Sequence, residues 1–215
     1  MTDRVKDFFE AEATTFDAIY TGAKGRFARW LDRKFRRDMS ERFDEAMRAC
    51  GDVAGAAILD VGCGSGRYSI ALAERGGRVT GVDTAGRMLD IARRLAAERG
   101  CGDRCRFIAG DFLAIPLGGG HDVTLAVGFF DYTADPRPYL RRMADAAAAG
   151  GRLIATFPRL WTWRAPVRKA RLALRGCPVR FYSRGAVDRA LLETGWGPVR
   201  LSRVGKLHFA VAEKK

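Results

Sequence analysis

At 215 residues and 47% hydrophobic, the chain can fill one α/β domain and is too short for two large ones. Its formal net charge of +13 points toward anionic partners. No apolar run approaches the roughly 18–20 residues that span a bilayer, and Met1 to Asp17 lacks the apolar stretch of a secretory signal.

The five cysteines (Cys50, Cys63, Cys101, Cys105, Cys177) make no C-x-x-C pair. That pattern fits reduced thiols in a cytoplasmic protein without a metal site. The chain begins with a helical lead-in around Val5, Phe8, Phe9 and Ala13. Gly22 and Gly25 then punctuate before a longer helix from about Phe27 to Cys50, whose apolar positions Trp30, Leu31, Phe35, Met39, Phe43 and Met47 recur at threes and fours. The basic run from Lys24 to Arg37 reads as a solvated helix face.

Ala56 to Val61 reads as a short buried parallel strand. It runs into Gly62-Cys63-Gly64-Ser65-Gly66, after which Ile70, Leu72 and Ala73 carry a helical rhythm. Glycines at a strand-to-helix turn permit positive φ and let a ligand approach bare backbone, and the helix start offers free N–H groups. Asp60 places an acid before the glycines, where a dinucleotide site needs none. Arg78 to Asp83 is a second β-rich run ending in an acid, at the position where a carboxylate can accept both hydroxyls of a ribose.

Asp60-Val61-Gly62-Cys63-Gly64-Ser65-Gly66 resembles, at every fixed position, the first motif (D/E)-x-G-x-G-x-G of the class I S-adenosylmethionine-dependent methyltransferases. The resemblance extends from Ala56 to about Pro158. It implies a doubly wound, Rossmann-like α/β fold: a seven-stranded, mostly parallel sheet with helices on both faces and a C-terminal antiparallel hairpin. It also implies S-adenosylmethionine as cofactor, with S-adenosylhomocysteine as product. The cofactor site it implies comprises Asp60, Gly62, Cys63, Gly64, Gly66, Asp83, Thr84, Met88, Gly110, Asp111, Phe112, Val127 and Gly128. Met88 serves equally as a core methionine; Asp111 could also be a mere helix cap, but its spacing after Asp60 and Asp83 favours the ligand role.

Beyond the glycine loop, Ala85 to Gly100 forms a helix with Met88, Leu89, Ile91, Ala92 and Leu95 on its buried stripe, closed by Gly100. Cys105 to Phe112 is the third strand and its exit. His121 to Phe130 is the fourth strand, running into Asp131-Tyr132 at the edge where open α/β sheets place ligands. Asp135 caps a helix with Pro136 in its first turn. Gly150-Gly151 turns into a fifth strand, Arg152 to Pro158. Ser183 caps a helix to Thr194, and Val199–Ser202 and Leu207–Val211 alternate as a closing hairpin. The whole reads as one domain, residues 1–215: a helical lid over 1–52, a cofactor-binding core over 56–158, a basic substrate-side insertion over 159–182, and a closing helix and hairpin over 183–215.

From Arg152 to Arg184 the chain carries Arg152, Arg159, Arg164, Arg168, Lys169, Arg171, Arg175, Arg180 and Arg184, and no Asp or Glu. Trp161, Trp163, Phe181 and Tyr182 are interleaved. An acidic small molecule, which arginines can clamp bidentately, and an anionic membrane surface, which suits tryptophans on a basic helix, both fit. Nucleic acid fits least, since no (N/D)-P-P-(Y/F) tetrad stands after the fourth strand. On the substrate side the resemblance implies Phe16, Tyr20, Tyr132, Arg159, Trp161, Trp163 and Arg164. Asp131 and Tyr132 are the weak candidates for a catalytic role, because alignment with an activated sulfonium demands little general base.

The expected activity is O-methylation of a small or lipid-like, anionic acceptor, with a loose likeness to the methyltransferases of magnesium protoporphyrin and quinone precursors. The alternatives are a non-catalytic scaffold of the same fold and a nucleic-acid methyltransferase. The sequence leaves the oligomeric state open.

Overall fold

The computed structural model describes residues 39–160 and 180–215. Helix α1 is described over residues 39–50. It precedes strand β1 (Ala57–Val61), helix α2 (Arg67–Glu74), strand β2 (Arg78–Asp83) and helix α3 (Gly86–Glu98). Strands β3 (Cys105–Ala109) and β4 (His121–Ala126), helix α4 (Arg137–Ala146) and strand β5 (Ala147–Pro158) follow. Helix α5 (Arg184–Leu192) and strands β6 (Trp196–Val204) and β7 (Leu207–Lys214) complete the described elements.

One seven-stranded sheet runs in the order β3-β2-β1-β4-β5-β7-β6. The first five strands are parallel, and β7 lies antiparallel between β5 and β6. This is the doubly wound sheet with a closing hairpin that the sequence predicts. Strand order reverses between β1 and β4, and at such a crevice the carboxyl ends of open α/β sheets bind their ligands.

The period-2 alternation of the strands splits the core into two layers. Leu59, Val61, Ala126, Leu153, Ala155 and Phe157 face α4 and α5, where Leu140, Met143, Val187 and Leu191 are buried. Ile58, Val123, Leu125, Ile154 and Phe209 face α1, α2 and α3, packing near Ala46, Leu72 and Ala96. Trp196 is fully buried in the first layer, and its indole N–H donates to Leu140 O at 3.0 Å. The same alternation turns Asp60 toward α2, on the side of Ile58 and away from Val61.

Two local readings need correction. The fourth strand ends at Ala126, so Phe129 and Phe130 belong to the loop beyond it. Strand β5 begins at Ala147, five residues earlier than the glycine pair suggests. Gly150-Gly151 forms a bulge inside the strand, because the register with β4 jumps from His121↔Ala147 to Val123↔Arg152. A Cβ on Gly151 would stand 2.8 Å from the carbonyls of Ala148 and His121, so only glycine fits. At α5, Ser183 Oγ accepts the Ala186 N–H at 3.2 Å, the N-cap expected from sequence. Asp135 Oδ1 accepts the Arg137 N–H at 3.0 Å at the start of α4.

Candidate functional site

The site forms where β1 and β2 end side by side. Gly62 N and Cys63 N both donate to Val82 O, which folds the loop after β1 against the end of β2. Asp83 closes the arrangement: Oδ2 accepts the Gly64 N–H and Oδ1 the Ala85 N–H, each at 2.9 Å. Gly62 has φ +73°, and a Cβ there would lie 2.6 Å from the Phe129 ring. Gly66 serves helix packing instead, since its absent Cβ would meet Ala92 at 2.9 Å.

Two adjoining clefts open at this edge. One, of about 420 Å³, is lined by Gly62, Gly64, Asp83, Met88, Gly128, Phe129 and Tyr132. The other, of about 260 Å³, is lined among others by Thr84, Gly110, Asp111, Phe112, Phe129 and Tyr139, and it shares Gly62 and Asp83 with the first. The lining of the larger is bare backbone, aromatic rings and one carboxylate.

Nine of the residues expected from sequence therefore line the clefts: Gly62, Gly64, Asp83, Thr84, Met88, Gly110, Asp111, Phe112 and Gly128. The other four stand behind the walls. Asp60 is 2% exposed and accepts the Ser69 hydroxyl at 2.6 Å. Burial pushes its carboxyl up to about 6, against the opposing effect of the Ser69 bond, with the Asp83 charge adding to the rise. Cys63 is buried, and burial with the charges of Asp60 and Asp83 holds its thiol well above the ordinary range. Gly66 and Val127 belong to the packing. Asp111 Oδ1 accepts the Leu113 N–H at 3.0 Å, so this acid caps a turn while also lining the smaller cleft.

On the substrate side, Tyr132 lines the larger cleft and Asp131 is buried at its shoulder. Arg159 forms a bridge with Tyr182 just past β5. Phe16, Tyr20, Trp161, Trp163 and Arg164 lie outside the described residues. The two ends that flank 161–179 are nevertheless fixed beside the site, with Leu160 N donating to Tyr182 O and Arg180 N donating to Asp131 O. His121 bonds Ala146 O at 2.9 Å, a packing role. No cluster of three potential metal ligands occurs among the described residues.

Three site residues escape a reading by motif. Phe129 and Tyr139 meet edge to face at 5.1 Å and 72° in the wall of the smaller cleft, and Phe129 also lines the larger. Arg42, on α1, places a guanidinium nitrogen 3.5 Å from where a Cβ on Gly128 would stand. Its Nε is buried with no hydrogen-bond partner among the described residues. Helical spacing marks Phe43 and Met47 as the buried face of α1, and a cation beside them gives no sequence signal of reaching a glycine on the far side of β1.

Residues 58–151 match the model of a methyltransferase domain family. Over this segment the chain is similar to methyltransferase domains. The chain is 38% identical over 99 residues to a ubiquinone biosynthesis O-methyltransferase from Idiomarina loihiensis, covering 46% of this chain and 41% of that protein. The chain thus spans less than half the length of the curated relatives it matches. Among solved structures, the chain is similar in fold to magnesium protoporphyrin IX methyltransferase from Synechocystis PCC 6803 with bound SAH. That similarity has a TM-score of 0.76 at 22% identity, over 98% of each chain. A geranyl diphosphate C-methyltransferase from Streptomyces coelicolor gives a TM-score of 0.69 at 16% identity, over 82% of this chain and 80% of that one. The relatives and neighbours include both an O- and a C-methyltransferase, so likeness of fold does not fix an acceptor atom.

Proposed function

We propose that the chain is an S-adenosylmethionine-dependent methyltransferase acting on a small, anionic or lipid-like acceptor, most simply by O-methylation. The observation that carries this reading is Asp83, whose carboxylate is held by the Gly64 and Ala85 N–H groups at the junction of the two clefts. A carboxylate at the end of the second strand is placed to accept the hydroxyls of a ribose. The adenine then lies toward Gly110, Asp111 and Phe112, with Met88 against the nucleoside. The amino-acid part runs over Gly62 and Gly64 toward Gly128, where the Arg42 guanidinium meets the carboxylate.

The bound sulfonium supplies an already activated methyl group. What this chain adds is placement: Phe129 and Tyr139 wall the cofactor, and Tyr132 stands on the open side where an acceptor oxygen would approach in line. Asp60 and Ser69 act from behind by fixing β1 against α2. The absence of acids from Arg152 to Arg184 favours an anionic acceptor, and Arg159 is the described arginine closest in sequence to the end of β5. No helix among the described residues is long and apolar enough to cross a membrane. Peripheral attraction to anionic lipid through the basic segment accompanies this reading as its lipid-facing form.

The test is to follow S-adenosylhomocysteine release over a panel of phenolic, carboxylic and isoprenoid acceptors. Release with at least one acceptor supports transfer. Tight S-adenosylhomocysteine binding with no release from any of them would favour a scaffold that keeps the fold without the reaction.

A further inference from the structure

Tyr182 joins two parts of the molecule. Its hydroxyl donates toward Phe130 O at 3.2 Å and Thr133 O at 3.1 Å, bracing the loop that walls the larger cleft. Its backbone pairs with Arg159, and its carbonyl accepts the His208 Nε2–H at 3.1 Å.

Around this tyrosine the charges share one sign. His208 stands opposite Phe157 in the register of β5 and β7, and opposite Arg203 in that of β6 and β7, so these three share a face of the sheet. Arg159, two residues beyond Phe157, continues on that face. Arg184, two residues beyond Tyr182, begins α5 over it. Neither Arg159 nor Arg184 makes an ion pair among the described residues, and Arg203 is spent on Gly205 O at 3.2 Å. From Arg152 to Arg184 there is no Asp or Glu, and from Trp196 onward only Glu213, which sits opposite Arg152 at the far end of β5. Among the described residues, the carboxylates that act on Tyr182 are Asp131 and Asp135, and Asp135 already pairs with Arg137. Burial lowers the His208 pKa against the opposing effect of its bond to Tyr182, and the charges of Arg159 and Arg184 add to the lowering.

We propose that Arg159, Arg184 and His208 form an oxyanion subsite that holds a carboxylate or phosphate group of the methyl acceptor. Two guanidinium groups clamp the anion, and the His208 Nδ1 faces it as a donor once protonated. Tyr182 links this subsite to the Phe129–Thr133 loop, so an acceptor anchored here by its charge presents its other end to Tyr132 and the methyl-transfer cleft. The assignment to an acceptor rests on the methyltransferase reading; the existence of the subsite does not.

The protein has two histidines, and they provide a reporter and a control in one experiment. The ring protons of His208 and His121 are followed by NMR while inorganic phosphate or acetate is added, against sodium chloride at matched ionic strength. The expected result is a saturable shift of the His208 signals with a rise in its pKa, His121 staying still. By reciprocity the bound anion favours the imidazolium as much as the imidazolium favours the anion. The double variant Arg159→Ala with Arg184→Ala should weaken this response at least about tenfold while melting like wild type. An unmoved His208, or an equal response in the double variant, overturns the subsite. Calorimetry with S-adenosylhomocysteine separates the two readings, because lost cofactor binding in wild type strikes the methyltransferase reading and leaves the histidine titration standing. Salt-sensitive sedimentation with phosphatidylglycerol vesicles, abolished in the double variant, would transfer the subsite to a lipid headgroup and overturn its assignment to the acceptor.

Discussion

The carboxylate of Asp83 and the backbone of Gly64 are bonded at 2.9 Å across the junction of two strands, so the cofactor contact proposed for Asp83 and the shape of the glycine loop depend on one side chain. Asp83→Ala removes both. It should cost about 1–3 kcal/mol in S-adenosylhomocysteine affinity by loss of bonds to a charged group. Asp83→Asn retains one carbonyl acceptor and should fall between the two. Isothermal titration of the three proteins checks this ordering, and equal affinities would remove Asp83 from the site.

Arg42 is expected to meet the carboxylate of the cofactor. Arg42→Ala should weaken S-adenosylhomocysteine by about 1.5–3 kcal/mol, the worth of a charge-assisted bond. 5′-Methylthioadenosine has the nucleoside but no amino-acid part, so it should bind wild type and variant alike. Parallel losses for both ligands would show that the substitution damaged the fold of the cleft.

Asp60 gives a pH signature in the ligand-free protein. Its carboxyl titrates at about 6 when folded against an ordinary 3.8, so the native state keeps the proton longer than the unfolded one. Stability therefore falls as pH rises between those values, by about 3 kcal/mol once the group is fully ionised. Asp60→Asn, neutral throughout, should melt several degrees higher than wild type at pH 8 and converge with it below about pH 4. A melting difference that does not change with pH would show that the buried carboxylate is not what titrates.

Nicotinamide dinucleotides should bind poorly. The Asp83 carboxylate bonded to Gly64 puts negative charge beside the loop where a pyrophosphate would have to lie. Fluorescence titration with NADH checks this, and micromolar affinity would overturn the choice of cofactor.

The fold was legible because strands β1 to β4 are short apolar runs whose ends carry glycines and acids. The glycine loop, Asp83 and Asp111 reach the clefts because a strand end leaves its side chains few directions to take. Less legible was anything that depends on the packing of one element against another. Phe129 reads as the last but one residue of a strand, yet the positive φ of Gly128 turns the chain out of the sheet and makes that ring a wall. Gly150-Gly151 reads as a turn, because a bulge and a turn use the same residues. Alternation along β1 does foretell that Asp60 points away from Val61, and therefore toward α2 and Ser69, although its motif suggests a ligand contact.

Strand β7 is the last of the seven in sequence, yet it lies between β5 and β6 and supplies ladder bonds to both. During synthesis β5 therefore leaves the ribosome with one side unpaired, and β6 has no strand to join until residues 207–214 have emerged. An exposed strand edge next to Phe157 and Leu153 is a template for pairing with other chains. A chain stopped just short of Leu207 would lose an interior strand, with its neighbour β6 left unattached. Such a chain should aggregate, whereas truncation within an edge strand would merely fray the sheet.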